Sequence, residues 1–260
     1  MSTLLPAVFF GHGNPMNALA VNGYTEAWRR IGQETPRPRG ILAISAHWFV
    51  PWTGVTVATT PRTIHDFGGF PPELYRVQYP APGDPELARR VAKLLAPLAV
   101  NLDETWGLDH GTWSVLRHAY PAADIPVVQL SIDERAPASF HFELGRRLGP
   151  LRAEGVLMAA SGNLVHNLRA YDWGGERRGP YDWAARFERR ARGLIEAGQF
   201  QPLVDYARLG SDAALAIPTP DHYLPLLYVL GASQPGDPVA FPVEGVDGGS
   251  VSMLAVRVGA

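Results

Sequence analysis

Short runs of apolar and β-branched residues, each bounded by Gly or Pro, recur along the chain and predict β-strands. Most of these runs are apolar at every position rather than at alternate positions. That pattern is typical of strands that are buried on both faces of a sheet. The predicted strands cover residues 7–10, 41–46, 55–58, 126–131, 156–160 and 251–258.

The segments between these runs place apolar residues at a helical period, and several begin after Thr or Asp, which cap helix N-termini. The predicted helices cover residues 24–31, 85–98, 113–118, 138–151, 183–197 and 222–230. Strands that alternate with helices predict an α/β fold. We expect a single three-layer domain over residues 1–260, with a central, largely parallel or mixed sheet flanked by helices.

Two segments depart from this alternation. Residues 60–83, TPRTIHDFGGFPPELYRVQYPAPG, are rich in Pro, Gly and aromatic residues and predict a long shaped loop that could act as a lid. Residues 171–183, YDWGGERRGPYDW, place Tyr-Asp-Trp on both sides of a Gly-rich turn. A single repeated tripeptide does not indicate a repeat protein.

The charge balance narrows the class of partner. Lys and Arg number 23 against 25 Asp and Glu, which gives no broad field for nucleic acid or an anionic membrane. No apolar run approaches the ~18 residues of a membrane span, and the first residues lack a basic leader with a cleavage site. We therefore expect a cytoplasmic protein that acts on a small molecule.

The chain contains no cysteine. This excludes disulfides, thiolate zinc sites, iron–sulfur clusters and cysteine nucleophiles. Any metal ion must therefore be held by His, Asp, Glu or water.

Three histidines follow the carboxyl ends of predicted strands. His12 follows the first strand in AVFFGHGNP, His47 ends the second in ILAISAHW, and His166 follows a later strand in VLMAASGNLVHN. The carboxyl ends of strands in an open α/β sheet form the crevice in which ligands bind. A single histidine after a strand is most often a hydrogen-bonded structural residue, but four at corresponding places, these three and His222, favour a shared site.

A fourth histidine, His222, begins a predicted helix in PTPDHYLPLLYVLG, where Thr219 or Asp221 could cap the helix. If this helix starts beside the crevice, His222 joins the other three. Neutral imidazoles suit borderline divalent ions such as Fe(II) or Zn(II). The sequence therefore predicts a metal site at the carboxyl edge of the sheet.

The remaining histidines carry weaker signals. His110 lies in DHGTW, where Thr112 could open the next helix, and either a ligand contact or a structural pairing with its neighbour Asp109 fits that position. An exposed role is the ordinary expectation for His65 on the irregular segment, with substrate contact as the alternative. His118 and His141 lie in ordinary helical patterns and are expected to be structural.

Several known motifs are incomplete or absent. GHGNPM lacks the third Gly and the acidic partner of a dinucleotide fingerprint, and the chain has no P-loop. No G-x-S-x-G elbow and no H-E-x-x-H helix occurs. These absences leave the histidine cluster as the main candidate site.

The ordered set of motifs resembles the DODA-type extradiol aromatic ring-opening dioxygenases, a group within the LigB class III superfamily, along essentially the whole chain. The motifs are GHGNPMNAL, SAHWF, TIHDFGGFP, YPAPG, DHGTWSVL, PVVQLSID, SGNLVHNLR, IPTPDHYLPLLYVLG and GSVSMLAVRV. The resemblance implies a non-haem metal centre, with Fe(II) for activity and Zn(II) able to occupy the site. It also implies cleavage of a catechol, DOPA-like or related, with O₂ to a muconate-type semialdehyde.

The resemblance also implies roles for single residues. His12, His47 and His222 match metal ligands, and His166 matches a residue that serves either as acid/base or as a fourth ligand. His110 matches a catalytic residue that helps to bind substrate or dioxygen.

We further expect His65 and Trp48 to contact the substrate, as parts of an aromatic slot formed with the irregular segment.

One departure from the wider extradiol pattern is the third ligand. The usual facial triad has two His and one carboxylate, whereas the matching position here is His222, with Asp221 beside it. Three imidazoles suit Zn(II) as readily as Fe(II). A zinc-dependent hydrolase that activates a bound water, or a metal-binding scaffold without catalysis, are therefore the alternatives.

Overall fold

The chain folds around a mixed β-sheet. The computed structural model describes residues 4–177 and 179–260; Arg178, in the second irregular segment, lies outside them. The strands in the described ranges are β1 (Ala7–Gly11), β2 (Gly40–Val50), β3 (Gly54–Thr56), β4 (Asn101–Asp103), β5 (Val127–Asp133), β6 (Val156–Gly162), β7 (Val239–Val243), β8 (Val246–Asp247), β9 (Val251–Ser252) and β10 (Ala255–Val258).

Eight of the strands in the described part of the chain form one sheet in the order β4-β3-β5-β2-β6-β1-β10-β7, and β8 pairs with β9. The central strands β5, β2, β6 and β1 are parallel to one another. The strands β10 and β7 continue the sheet in antiparallel pairing at one side, and β3 is antiparallel to β5 at the other.

Helices cover both faces of the sheet. In the described ranges they are α1 (Gly23–Glu34), α2 (Pro72–Tyr75), α3 (Pro85–Leu95), α4 (His110–Ala119), α5 (Ala138–Leu148), α6 (Asp182–Glu196), α7 (Gln201–Val204), α8 (Ser211–Ala216) and α9 (Leu224–Gly231). None of the described helices is long and apolar enough to cross a membrane.

Strand β2 shows how the apolar runs build the three layers. Leu42 and Ile44 lie in one buried cluster with α3, α5, α6 and α9, whereas Ile41 and Ala43 lie in a second cluster with α1 and α4. Alternate residues of a strand point to opposite faces, so an apolar residue at every position fills both layers. The predicted three-layer α/β fold with a mixed central sheet is confirmed.

The register of the central strands aligns their carboxyl ends. Gly11 of β1 pairs with Gly162 of β6, and Ser45 of β2 pairs with Ser161 of β6. The residues that follow these positions, including His12, therefore emerge at the same edge of the sheet.

Strand β2 is longer than the predicted strand and is bulged beyond Ile44. Ile44 pairs with Leu130 of β5 but Phe49 pairs with Ile132, so five steps along β2 are matched by two along β5. His47 lies inside this bulge, which lets the strand continue to Val50 while it redirects the imidazole.

Several local predictions are wrong. The run 251–258 is divided into β9 and β10, and β4, β7 and β8 fall outside the predicted strands. Helix α9 begins at Leu224 without a side-chain cap, so neither Thr219 nor Asp221 caps it. Helix α4 begins at His110, and Asp109 rather than Thr112 caps it.

The first irregular segment, residues 60–83, is tied into the fold rather than suspended over it. Thr63 forms a β-bridge with Leu108, and the Ile64 amide donates to the Leu108 carbonyl. Leu74 of α2 and Tyr79 are buried. The tied backbone and these buried side chains give the segment one defined path across the sheet edge.

A buried arginine joins both ends of the chain at the other end of the fold. The Arg152 side chain is fully buried and donates to the carbonyls of Leu5 near the first residue and Val258 near the last, and to that of Ala232. It also forms an ion pair with Asp237 at 2.6 Å, and the Asp237 side chain is only 10% exposed.

We predict that Asp237→Ala lowers the free energy of unfolding by about 3–5 kcal/mol, because it leaves the Arg152 guanidinium buried without its counter-ion. Urea denaturation measures this change. The control is Asp212→Ala, which removes a partner of the half-exposed Arg186 and should change stability by less than about 1 kcal/mol. Equal losses in the two variants would contradict the prediction.

Candidate metal centre

Three histidines that are remote in sequence converge at the carboxyl edge of the sheet. One ring nitrogen from each of His12, His47 and His222 lies within 4.8 Å of the others. The Nε2 atoms of His12 and His47 are 3.2 Å apart. The ring of His222 has its centroid 5.3 Å from that of His12 and 5.1 Å from that of His47.

Backbone contacts to the end of β6 fix two of these histidines. The His12 amide donates to the Gly162 carbonyl at 3.1 Å, directly after β1. The His222 carbonyl accepts the Asn163 amide at 2.9 Å, which holds the turn before α9 against the same strand. The end of β6 therefore serves as the common support for His12 and His222.

An acceptor lies behind each of the three imidazole rings. Ser161 donates its hydroxyl proton to the Gly111 carbonyl, so its Oγ accepts the Nδ1 proton of His12 at 2.9 Å. Nδ1 of His222 donates to the Asp221 carboxylate. Nδ1 of His47 lies 3.2 Å from the Asp66 carboxylate, where a proton is attracted and a bare lone pair would be repelled.

These acceptors decide which nitrogen of each ring is free. With the proton on Nδ1, every ring presents the lone pair of Nε2. The Nε2 atoms of His12 and His47 then face each other at 3.2 Å without a proton between them. A cation bound by both nitrogens would relieve this repulsion, so the donor set fits a divalent ion such as Fe(II) or Zn(II).

Burial keeps the imidazoles of His12 and His47 neutral. Burial lowers the pKa of His12 and that of His47 well below the usual value, and the neighbouring histidines lower both further. Burial alone would raise the pKa of Asp221, but the hydrogen bond from His222 holds that pKa well below its usual range. The centre thus combines two buried neutral rings, His12 and His47, with carboxylates behind His47 and His222.

His166 joins the centre from the side. Its ring stacks on that of His222, with centroids 3.5 Å apart and planes 6° apart. The backbone holds this position, because the His166 amide donates to the Ala216 carbonyl and His166 forms a β-bridge with Val251. Burial, followed by the nearby His222, lowers the pKa of His166 to about 3. A neutral imidazole therefore lies beside the three-histidine group.

His110 approaches from the first turn of α4. Asp109 caps this helix by accepting the Thr112 amide at 3.1 Å. The His110 ring lies 3.9 Å from that of His47, and its Nδ1 donates to Asp66 at 2.9 Å. This bond leaves Nε2 as its free nitrogen.

The five histidines open on a cavity of about 250 Å³. The side of the cavity away from the histidines is mainly apolar and aromatic. Its described lining beyond the histidines consists of Gly13, Asn14, Pro15, Phe70, Leu168, Tyr171, Trp173 and Val251. A largely apolar cavity with a few converging polar atoms is typical of a small-molecule site.

Two residues that we expected to contact substrate do not border this cavity within the described chain. Trp48 follows His47 along the strand, so its side chain points to the other face, where it stacks on Trp106 with centroids 5.3 Å apart. His65 donates to the Val77 carbonyl at 3.0 Å and packs against the edge of Trp113.

Sequence reasoning missed other residues of the site. Asp66 reaches His47 and His110, although the motif TIHDFGGF drew attention only to its neighbour His65. Tyr171 and Trp173 of the second irregular segment border the cavity mouth. His118 and His141 are structural as expected, with hydrogen bonds at 2.9 Å to the Asn17 carbonyl and the Tyr228 hydroxyl.

One glycine allows the close packing behind His47. A Cβ atom at Gly111 would lie 2.4 Å from Ser45 Oγ and 2.9 Å from His47 Cδ2. Both distances are shorter than van der Waals contact, so a side chain at this position crowds Ser45 and the His47 ring and forces a shift there.

Comparisons with known proteins give a consistent result. Residues 5–246 match the family model described as the catalytic LigB subunit of aromatic ring-opening dioxygenase. The chain is 54% identical to a 4,5-DOPA dioxygenase extradiol of Escherichia coli K12, over 99% of this chain and 96% of the relative. It is 37% identical to a protein of the same name from Beta vulgaris, over 94% and 92%.

The fold also matches a crystal structure of an uncharacterised Escherichia coli K12 protein. The TM-score is 0.86 at 48% sequence identity, and the match covers 98% of this chain and 100% of the other. The match therefore takes in nearly the whole chain.

We predict that Gly111→Ala weakens zinc binding at least about tenfold, because the new methyl group displaces His47 from its partners. Titration of the metal-free protein against a chromophoric zinc chelator measures the affinity. Gly193→Ala is the control, since nothing lies near a Cβ at that exposed helical position. The prediction is wrong if the two variants, both shown to be folded by circular dichroism, bind zinc equally well.

The lowered pKa values predict that acid destabilises the metal-free protein. Below pH 6.5 the histidines of the unfolded chain become protonated, whereas His12, His47, His141 and His166 stay neutral in the folded protein to lower pH. The pKa in the folded protein is about 4 for His141 and about 3 for His166. The free energy of unfolding therefore falls with falling pH, by up to about 1.4 kcal/mol per pH unit for each group. Asp109, whose pKa burial raises to about 6, offsets one of them.

Urea denaturation at a series of pH values from 7 to 4 measures this slope. The variant His141→Gln removes one of the titrating groups away from the cavity and should flatten the profile. A stability that stays constant over this range in the native sequence would contradict the prediction.

Proposed function

The chain belongs to the LigB family of catalytic subunits of aromatic ring-opening dioxygenases, and we propose that it cleaves the ring of a catechol beside its hydroxyl groups. It is an extradiol dioxygenase, so its reactants are an aromatic compound and O₂. In this proposal both oxygen atoms enter a muconate-type semialdehyde. The observation that carries it is the set of Nε2 lone pairs that opens on an aromatic-lined cavity.

We assign the metal to His12, His47 and His222. Fe(II) held there would supply open coordination positions for the reactants and would relay electrons from the diol to O₂. The same imidazoles can hold Zn(II). His166 is either the acid/base beside the metal or a fourth ligand, and its neutral ring suits both roles.

His110 handles a proton of the diol in this proposal. Its Nδ1 proton is held by Asp66, so Nε2 is the atom that can accept a hydrogen bond or a proton from a substrate hydroxyl. The ring is 4% exposed and lines the cavity. A proton accepted there stays out of solvent and can return to an oxygen of the opened ring.

The cavity wall orients the aromatic ring. Phe70, Leu168 and Trp173 offer apolar surface opposite the histidines, which favours a flat ring with its hydroxyl groups toward the metal-binding nitrogens. The same surface excludes water while the ring is bound. Direct contact by His65 and Trp48 has no part in this proposal, because neither borders the cavity.

The test is anaerobic reconstitution with Fe(II), followed by addition of oxygenated buffer with DOPA, caffeate, protocatechuate or catechol. We expect one diol or more to consume one O₂ per ring and to give a yellow product. Hydrolysis of a chromogenic ester by the Zn(II)-loaded protein, with no O₂ uptake on any diol, would favour the hydrolase. No reaction with any diol, above the metal-free control, would favour the non-catalytic scaffold and reject the proposal.

We predict that His110→Ala and His166→Ala each lower kcat at least about 100-fold, because each removes a group that holds a proton near the diol. Oxygen uptake by the Fe(II)-loaded variants measures the loss. Glu73→Gln, an exposed exchange that leaves the lining of the cavity unchanged, should keep full activity. Undiminished turnover in both alanine variants would refute the assigned roles.

Zinc affinity separates the two roles of His166. If His166 is an acid/base, His166→Ala binds zinc as tightly as the native sequence while turnover is lost. If it is a fourth ligand, the same variant binds zinc at least about tenfold more weakly.

A further inference from the structure

We propose that Asp66 is a positioning residue whose single carboxylate sets the proton positions of both His47 and His110. It would thereby couple a metal-binding imidazole to the imidazole that handles a substrate proton. The second half of this statement rests on the proposed function. The first half concerns only the metal-free protein and its affinity for a cation.

The geometry places both imidazoles on one oxygen. Asp66 Oδ2 accepts from Nδ1 of His110 at 2.9 Å and lies 3.2 Å from Nδ1 of His47. Its other oxygen, Oδ1, accepts the backbone amide of His110 at 2.9 Å. The centroids of the two rings are 3.9 Å apart, so a movement of the carboxylate changes the surroundings of both rings.

The shared oxygen has a defined consequence for the lone pairs. A carboxylate only accepts, so it favours the Nδ1–H form of both rings. The lone pair of His47 Nε2 then faces His12 in the metal-binding group, and the lone pair of His110 Nε2 is left for the cavity. One carboxylate thus sets the proton position of a metal-binding imidazole and that of an imidazole whose free nitrogen faces the cavity.

Asp66 also supplies charge. The three candidate ligands are neutral, whereas a facial triad of two histidines and one carboxylate carries one negative charge on the metal. Here the carboxylates lie at the Nδ1 side of the imidazoles, away from the metal-binding Nε2 atoms. Asp66 lies beside His47 and Asp221 beside His222. Acceptors behind ligating histidines raise their basicity and hold their orientation.

The first irregular segment holds Asp66 from both sides. On one side, the Ile64 carbonyl accepts Nε1–H of Trp113 at 2.8 Å and the His65 ring donates to the Val77 carbonyl. On the other side, the Phe67 ring packs at 5.4 Å against the edge of His110. The segment therefore carries a carboxylate into the site in addition to lining it.

The first test reads the tautomers directly. Two-bond ¹H–¹⁵N correlation spectra of the metal-free protein distinguish Nδ1–H from Nε2–H imidazoles. We expect His47 and His110 to be Nδ1–H in the native sequence and to lose that form together in Asp66→Asn. Unchanged spectra of both rings in the variant would overturn the proposal.

The second test compares Asp66→Asn with Asp66→Ala by zinc titration. An Asn that keeps its carbonyl on the His110 amide turns its NH₂ group toward the two Nδ1–H groups, which favours the wrong tautomer. We therefore expect Asp66→Asn to bind zinc about 10- to 100-fold more weakly and at least as poorly as Asp66→Ala. If Asp66 only packs the segment, Asn keeps native affinity and Ala alone is impaired, which would overturn the proposal.

The control is Glu73→Gln, which removes a carboxylate from the same segment at an exposed position paired with Arg76. It should keep native zinc affinity, and thermal unfolding of all variants shows whether they are folded. Zinc affinity and the spectra need no turnover, so they test Asp66 even if no diol is cleaved. If the native sequence cleaves a diol, the coupling also predicts a lower kcat with little change in KM for Asp66→Asn, and unchanged kcat would refute that half.

Discussion

Lone pairs that face one another without a proton between them repel, and the carboxyl edge of this sheet holds such lone pairs together. The Nε2 atoms of His12 and His47 are 3.2 Å apart, and acceptors behind the two rings favour the protons on the opposite nitrogens. Much of the surrounding structure serves this arrangement. The aligned ends of β1, β6 and β2 bring the rings together, and burial keeps them unprotonated.

The acceptors differ in kind, which gives the centre an uneven charge distribution. Behind His12 lies the neutral hydroxyl of Ser161, whereas carboxylates lie behind His47 and His222. A cation among the three rings would therefore be neutralised through the imidazoles rather than by direct contact with an anion. This leaves the surface of the cavity to the imidazoles and to apolar and aromatic side chains.

The parts of the fold and site that could be predicted from sequence are those set by local pattern. Apolar runs locate the buried strands, and the rule that carboxyl ends of parallel strands meet explains why His12 and His47 were expected to share a crevice. Strand β4 was not predicted, because its residues Asn101–Asp103 are largely exposed and two of the three are polar. Asp66 was not predicted to be a site residue, because its position depends on contacts distant in sequence, such as the bridge from Thr63 to Leu108, that no local pattern shows.

The bulge in β2 makes the length of this strand as important as its composition. The steps from Ile44 to Phe49 exceed those of the partner strand by three residues, and His47 lies within that excess. Conservative exchanges among the apolar residues before it would leave the imidazole in place. Loss of a single residue between Ile44 and His47 would turn the ring to the opposite face of the sheet. Related sequences should therefore tolerate substitutions in this segment far better than deletions.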